Sequence, residues 1–157
     1  MHKMMMVIAA IVWLGASDGA ARQRLDGAAQ AKIDDTVATY GAAWNEPDIA
    51  ARRRMLEKAW ATDGTYTDPT AHVEGREALV QHISGFLKSL PGARIVPTSH
   101  ADLHHGMLRF TWRIVKADGT PLTDGIDFGV LDGEGRIQKI VGFFGPLSPV
   151  DRKDPPP

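Results

Sequence analysis

The sequence predicts an α+β domain over residues 25–147, with three helices followed by a strongly bent antiparallel sheet, the two together enclosing one pocket. Three observations predict it. Apolar side chains recur at helical spacing three times before residue 91, four long strand-like segments follow with a glycine at every junction, and 157 residues suffice for one core. Helices followed by an antiparallel meander give a layout in which the helices cover one face of the sheet.

The first helix rests on Ile33, Val37, Tyr40 and Trp44, whose steps of four, three and four place them on one face. It stops near Asn45-Glu46-Pro47. Asp48 then caps a second helix carrying Ile49, Leu56 and Trp60 on its inner face. Residues 64–68 read as a short strand ended by Pro69. After Gly75 the stripe Leu79, Ile83, Phe86, Leu90 marks a third helix, closed by Pro91-Gly92. Strands are expected at about 94–104, 107–116, 122–132 and 136–144, separated by His105-Gly106, Asp118-Gly119 and Gly133-Glu134.

Composition narrows the function classes. With 18 basic and 19 acidic side chains the net charge is close to zero, so nothing argues for a nucleic-acid partner. The absence of cysteine removes a thiol nucleophile, a disulfide framework and a thiolate metal site, and leaves the redox compartment open. Residues 1–21 have leader character: Met1, His2 and Lys3 precede an apolar run from Met4 to Ala16 that is short for a membrane span. Export is the expectation, giving a secreted or periplasmic protein with no membrane association after processing. The alternative is a cytoplasmic chain that starts within Met4-Met5-Met6. Residues 148–157 read as a disordered tail, charged and ending in three prolines.

Strand parity selects a pocket face. If Asp118-Gly119 is a two-residue turn, Phe110 lies opposite Asp127 and Trp112 opposite Gly125; pairing across His105-Gly106 adds Ala101 opposite Phe110 and Ser99 opposite Trp112. That face is apolar with one carboxylate. Glycines two residues to either side of Asp127 leave space beside it, and burial among Phe110 and Trp112 should raise its pKa so that it donates a hydrogen bond at neutral pH. A carboxylate bonded to a backbone amide at a sheet bend, or a register slip that turns Asp127 outward, is the plainer reading.

The opposite face collects Arg109, Thr111 and Arg113 beside Ile126, Phe128 and Val130, too apolar for open solvent, which suggests a homodimer formed through the outer face of the sheet. His100, Asp102 and His104 share that face, where an ion pair between Asp102 and Arg109 accounts for them better than a metal, so no metal site is assigned. Arg52-Arg53-Arg54 reads as the solvated side of the second helix. Trp44, Trp60 and Phe86 fall on core stripes and are core residues first, ligand contacts second.

Three segments together resemble the nuclear transport factor 2-like superfamily, and within it the ketosteroid isomerases and SnoaL-like polyketide cyclases: Tyr40-Gly-Ala-Ala-Trp-Asn45; Tyr66-Thr-Asp-Pro69 with Gly75 following; and Gly125-Ile-Asp-Phe128 leading into Asp132-Gly-Glu-Gly-Arg-Ile137 and Gly142-Phe-Phe-Gly145. The resemblance implies a cone of three helices against a bent sheet. Tyr40, Asp68 and Asp127 match, in type and order, the isomerases' tyrosine on the first helix, aspartate before a proline and aspartate on a late strand. By that likeness Asp68 is the base that moves a proton beside a carbonyl, while Tyr40 and protonated Asp127 hydrogen-bond the enolate oxygen. Tyr40 as a core residue and Asp68 as a turn former remain open as plainer readings.

The function expected is binding of a small hydrophobic or polycyclic carbonyl compound, with ketosteroid isomerase-like proton transfer. An aldol cyclase and a non-catalytic binding module are the alternatives. Aromatic side chains supply the expected ligand contacts: Trp44, Tyr66, Phe86, Phe110, Trp112 and Phe144, with the small residues Ser99, Ala101 and Gly125 between them. No cofactor is implied, because the chemistry uses only side-chain acids and bases.

Overall fold

The structure is a computed structural model that describes residues 27–149; the expected leader at 1–21 and all but the first two residues of the expected tail at 148–157 lie outside the described residues. The elements run α1 (Gly27–Trp44), α2 (Ile49–Ala59), β1 (Trp60–Asp68), β2 (Ala71–Glu74), α3 (Arg76–Ser89), β3 (Arg94–Pro97), β4 (Asp102–His104), β5 (Met107–Val115), β6 (Pro121–Leu131) and β7 (Ile137–Phe144). Three helices pack on one curved sheet of order β2-β1-β7-β6-β5-β3, with β4 also paired to β5. The fold is the α+β cone. One pairing departs from the antiparallel pattern, because β7 ends the meander running parallel to β1.

The helices form where the apolar stripes lie. Ile33, Thr36, Tyr40, Ala43 and Trp44 are the buried side chains of α1, at helical steps that keep them on one face. Asn45 ends that helix and fixes it to the sheet: its side-chain amide donates to the Ile95 carbonyl at 2.7 Å and its side-chain oxygen accepts from the Ile95 N–H at 2.8 Å. Asp48 caps α2, accepting from the Ala51 N–H at 2.7 Å.

Arg52 is not on a solvated face. It is 2 % exposed, and its guanidinium donates to the carbonyls of Glu46 and Val80, which fastens α2 to α3. A guanidinium carries enough donors to be satisfied by carbonyls alone. Arg53, by contrast, pairs at the surface with Glu77. Trp60 belongs to β1 rather than to α2, because the helix ends at Ala59 and the chain there begins to pair with Ile137 of β7. The Trp60 ring covers Gly64, where a Cβ would stand 2.5 Å from the indole nitrogen, so β1 tolerates its irregular register only with glycine there.

Two hairpin details correct the expected strands. The segment 94–104 is broken after Pro97, which cannot donate to the ladder. Pro97, not Ser99, stands opposite Trp112, and Ser99 instead accepts from the Thr111 N–H with its hydroxyl at 2.9 Å. The turn around Asp118-Gly119 spans three residues: the Gly119 N–H donates to the Lys116 carbonyl, Gly119 takes a positive φ of 85°, and Lys116 pairs with Thr120. An odd loop should have reversed the parity of β6. The bulge between Val115 and Ile114, with Pro121 and Thr123 as their partners, inserts one residue and restores it, so Phe110 still faces Asp127 and Trp112 still faces Gly125.

Candidate active site

Asp127 is 3 % exposed and reaches its place through two glycines. A Cβ on Gly125 would lie 2.2 Å from the Trp112 ring, so the space beside Asp127 is not empty: the indole fills it. That placement lets Trp112 Nε1–H donate to Asp127 Oδ1 at 2.9 Å. Across the ladder Asp127 faces Gly142, where a Cβ would stand 2.8 Å from Asp127 Oδ1 and 3.7 Å from Asp68 Cβ. Gly142 thus lets the two acids flank one bare stretch of backbone. Gly129 on the other side is filled too, by the Lys139 carbonyl and the side chains of Ile140 and Leu108.

The acids differ in their bonding. Asp68 Oδ1 accepts from the Thr70 N–H at 2.6 Å, the Thr70 hydroxyl at 2.8 Å and the Ala71 N–H at 2.8 Å, while Oδ2 accepts from the Tyr66 hydroxyl at 2.8 Å. Burial works against its charge, yet these four donors outweigh burial and hold its pKa below the usual carboxylate range. Asp127 has one donor and deeper burial. Burial raises its pKa to about 6, with the Asp68 charge adding to the rise and Trp112 opposing it. The rise has the expected direction, but at neutral pH it leaves Asp127 largely ionised rather than protonated.

Tyr40 is 2 % exposed, stacks on Trp60 at 5.5 Å between ring centres and meets Phe110 edge-on at 6.2 Å. Its hydroxyl has no hydrogen-bond partner among the described residues. Burial first, then the nearby Asp127, push its pKa far up, so it remains a proton donor. A buried donor left unpaired is costly and is a natural place for a ligand acceptor.

Tyr40, Asp68 and Asp127 all line one cavity of about 610 Å³. Trp44, Tyr66, Phe86, Trp112 and Phe144 line it as well, making walls of aromatic rings. Four expected contacts do not: Ser99 lies exposed in the broken strand, Ala101 and Phe110 are packed in the core, and Gly125 lies under the Trp112 ring. Parity assigns a residue to a face but not to a cavity, since the same face also carries the core. Sequence reasoning missed His82 and Thr70, both of which line the cavity. A signal existed for His82, three residues after Leu79 and four before Phe86 on the helical stripe. No group of three or more His, Asp or Glu side chains among the described residues is arranged to hold a metal. Asp102 pairs with Arg109 at 3.0 Å.

The model of a family described as the SnoaL-like domain matches residues 37–140. Among solved structures, a candidate isomerase of the SnoaL-like family from Agrobacterium tumefaciens is 35 % identical, covering 74 % of this chain and 99 % of its own with a TM-score of 0.70. A candidate polyketide cyclase from Sinorhizobium meliloti is 17 % identical over 72 % of this chain and 97 % of its own, TM-score 0.57, and is similar in fold. So is a protein of unknown function with a cystatin-like fold from Methylobium petroleophilum, 14 % identical over 80 % of this chain and 83 % of its own, TM-score 0.63. No curated protein matches the sequence.

Proposed function

The chain belongs to the SnoaL-like domain family of the nuclear transport factor 2-like superfamily, and from that premise we propose that its cavity binds a small hydrophobic or polycyclic carbonyl compound and moves a proton beside the carbonyl, as a ketosteroid isomerase does. The observation that carries this reading is the unequal bonding of two acids beside Gly142, four donors on Asp68 against one on Asp127. Proton transfer near neutral pH needs a carboxyl that exchanges its proton there, and a separate donor for the oxygen where charge develops. Asp127, with its pKa near 6, suits the first role, and the unpartnered Tyr40 hydroxyl suits the second.

With a β,γ-unsaturated ketone, the Asp127 carboxylate takes a proton from the carbon between the carbonyl and the double bond. The electron pair moves to the carbonyl oxygen, where the Tyr40 hydroxyl hydrogen-bonds the dienolate. Asp127 then returns the same proton to the γ-carbon, and the double bond ends in conjugation. No co-reactant is consumed. This assignment exchanges the roles that the isomerase resemblance implies for the two aspartates, because an acid already holding four hydrogen bonds is a weak base. Asp68 stays ionised, holds the Tyr66 ring in the cavity wall and raises the pKa of its neighbour.

The test is conversion of a β,γ-unsaturated ketosteroid by wild type, Asp127→Asn, Asp68→Asn and Tyr40→Phe. Asp127→Asn should lose about 10²–10⁴-fold in turnover, with smaller losses in the other two. kcat/KM should rise with pH through about 6 and level off, as Asp127 ionises. Wild-type turnover no faster than that of Asp127→Asn would refute the proposal. Binding without turnover would make the chain a binding module.

A further inference from the structure

His82 is a cavity residue that the proton-transfer scheme leaves without a role. It is half-buried on α3, and its ring meets Trp44 edge-on at 5.7 Å and lies tilted against Tyr66 at 5.4 Å. Two aromatic neighbours therefore fix its orientation. Neither of its ring nitrogens has a hydrogen-bond partner among the described residues, and no lysine or arginine among them lines the cavity. Among the described residues His82 is the one basic side chain on its wall.

Contacts run from Asp127 past Gly142 to Asp68, then through Tyr66, whose hydroxyl reaches Asp68 and whose ring reaches His82. Tyr66 thus links the histidine to the acid pair by contact. A polar nitrogen in an aromatic wall gives up its water when a ligand fills the cavity, and it loses that bond unless the ligand replaces it. A neutral imidazole carries one donor and one acceptor, so it can serve either a hydroxyl or a carbonyl. Ligands bearing a carboxylate or phosphate are disfavoured by the ionised Asp68, which no lysine or arginine among the described lining residues offsets.

We propose that His82 selects the ligand by hydrogen-bonding a second, uncharged oxygen carried away from the reacting carbonyl. This rests on the reading of the cavity as a site for carbonyl compounds. The natural ligand is accordingly an oxygenated polycycle with two polar ends, and a hydrocarbon skeleton bearing one ketone is a poorer fit. A site built to bond a ligand oxygen discriminates against the analogue that lacks it, because the site's polar atom is then left unpaired.

The experiment compares calorimetric binding of androst-4-en-3-one and its 17β-hydroxy counterpart to wild type, His82→Phe and His82→Gln. Wild type should prefer the hydroxylated steroid by about three- to tenfold. His82→Phe keeps a ring against Trp44 and Tyr66 but no polar atom, so it should lose the preference and bind the two steroids alike. His82→Gln, which retains a donor and an acceptor, should recover part of it. Equal binding of both steroids by wild type, or a preference that survives in His82→Phe, would overturn the inference while leaving the carbonyl reading intact. Failure of wild type to bind either steroid would overturn both.

Discussion

At the scale of single residues, the site depends on how each carboxyl is bonded rather than on which residues are acidic. Asp127 holds its proton more tightly folded than unfolded, with a pKa raised from 3.8 to about 6. Between those values the folded state binds more protons, so this residue's contribution to stability falls as pH rises through that window and is lowest above about 6. Asp127→Asn keeps an oxygen for Trp112 and cannot ionise. It should therefore gain on wild type as pH rises, by on the order of 2–3 kcal/mol at pH 7.5 relative to pH 4, in urea unfolding at the two pH values. A gap that stays constant with pH would contradict the raised pKa. The identity and direction of Asp127 were legible from glycine-centred hairpins and strand parity. Its hydrogen bond to Trp112 was not, because a strand pattern assigns a side chain to a face without showing where a large ring folds over on that face. Asp68 shows the same limit: the Asp-Pro turn was legible, whereas the convergence of Thr70, Ala71 and Tyr66 on one carboxyl depends on the return of β2 along β1.

At the scale of elements, β6 is arranged around its glycines. Gly125 gives the Trp112 ring its place, and Gly142 on β7 leaves the gap between the acids. Gly125→Ala should push the indole off its position and cost about 1–3 kcal/mol, as overpacking does, and loss of the Trp112 donor, which opposes the rise in the Asp127 pKa, should move that pKa further up. Denaturation at pH 7 together with a titration checks both. Element order was readable because helical and strand spacings are local properties. The parallel pairing of β1 with β7, the short β2 and the break after Pro97 were not, since each is decided by a partner distant in sequence. The three-residue turn at Gly119 is instructive: its parity error is cancelled by the bulge opposite Val115, so the correct pairing of Asp127 followed from a premise about loop length that the structure replaces.

At the scale of the whole molecule, the cone closes one side of the sheet with helices and leaves the other uncovered. Phe128 and Phe143 meet there at 6.4 Å between ring centres and are 43 % and 56 % exposed, beside Val130 and Met107. We propose that a second copy of the chain covers this face, since the flanking arginines are already paired, Arg113 with Asp124 and Arg109 with Asp102, leaving apolar surface as what is offered. Sedimentation should give a dimer at micromolar concentration that Phe143→Asp converts to monomer; a monomeric wild type would contradict it. On the inner side, the acid pair is a product of the entire fold, because β1, β6 and β7 must align before Asp68 and Asp127 can flank Gly142. The direct test is a carbon-13 NMR titration of the aspartate carboxyl carbons in wild type and Asp68→Asn. Asp127 should titrate near pH 6 in wild type and lower in Asp68→Asn, with Asp68 below the ordinary carboxylate range. An Asp127 midpoint near the ordinary value of about 4, unmoved by the loss of Asp68, would contradict a cavity built to hold two carboxyls in different states.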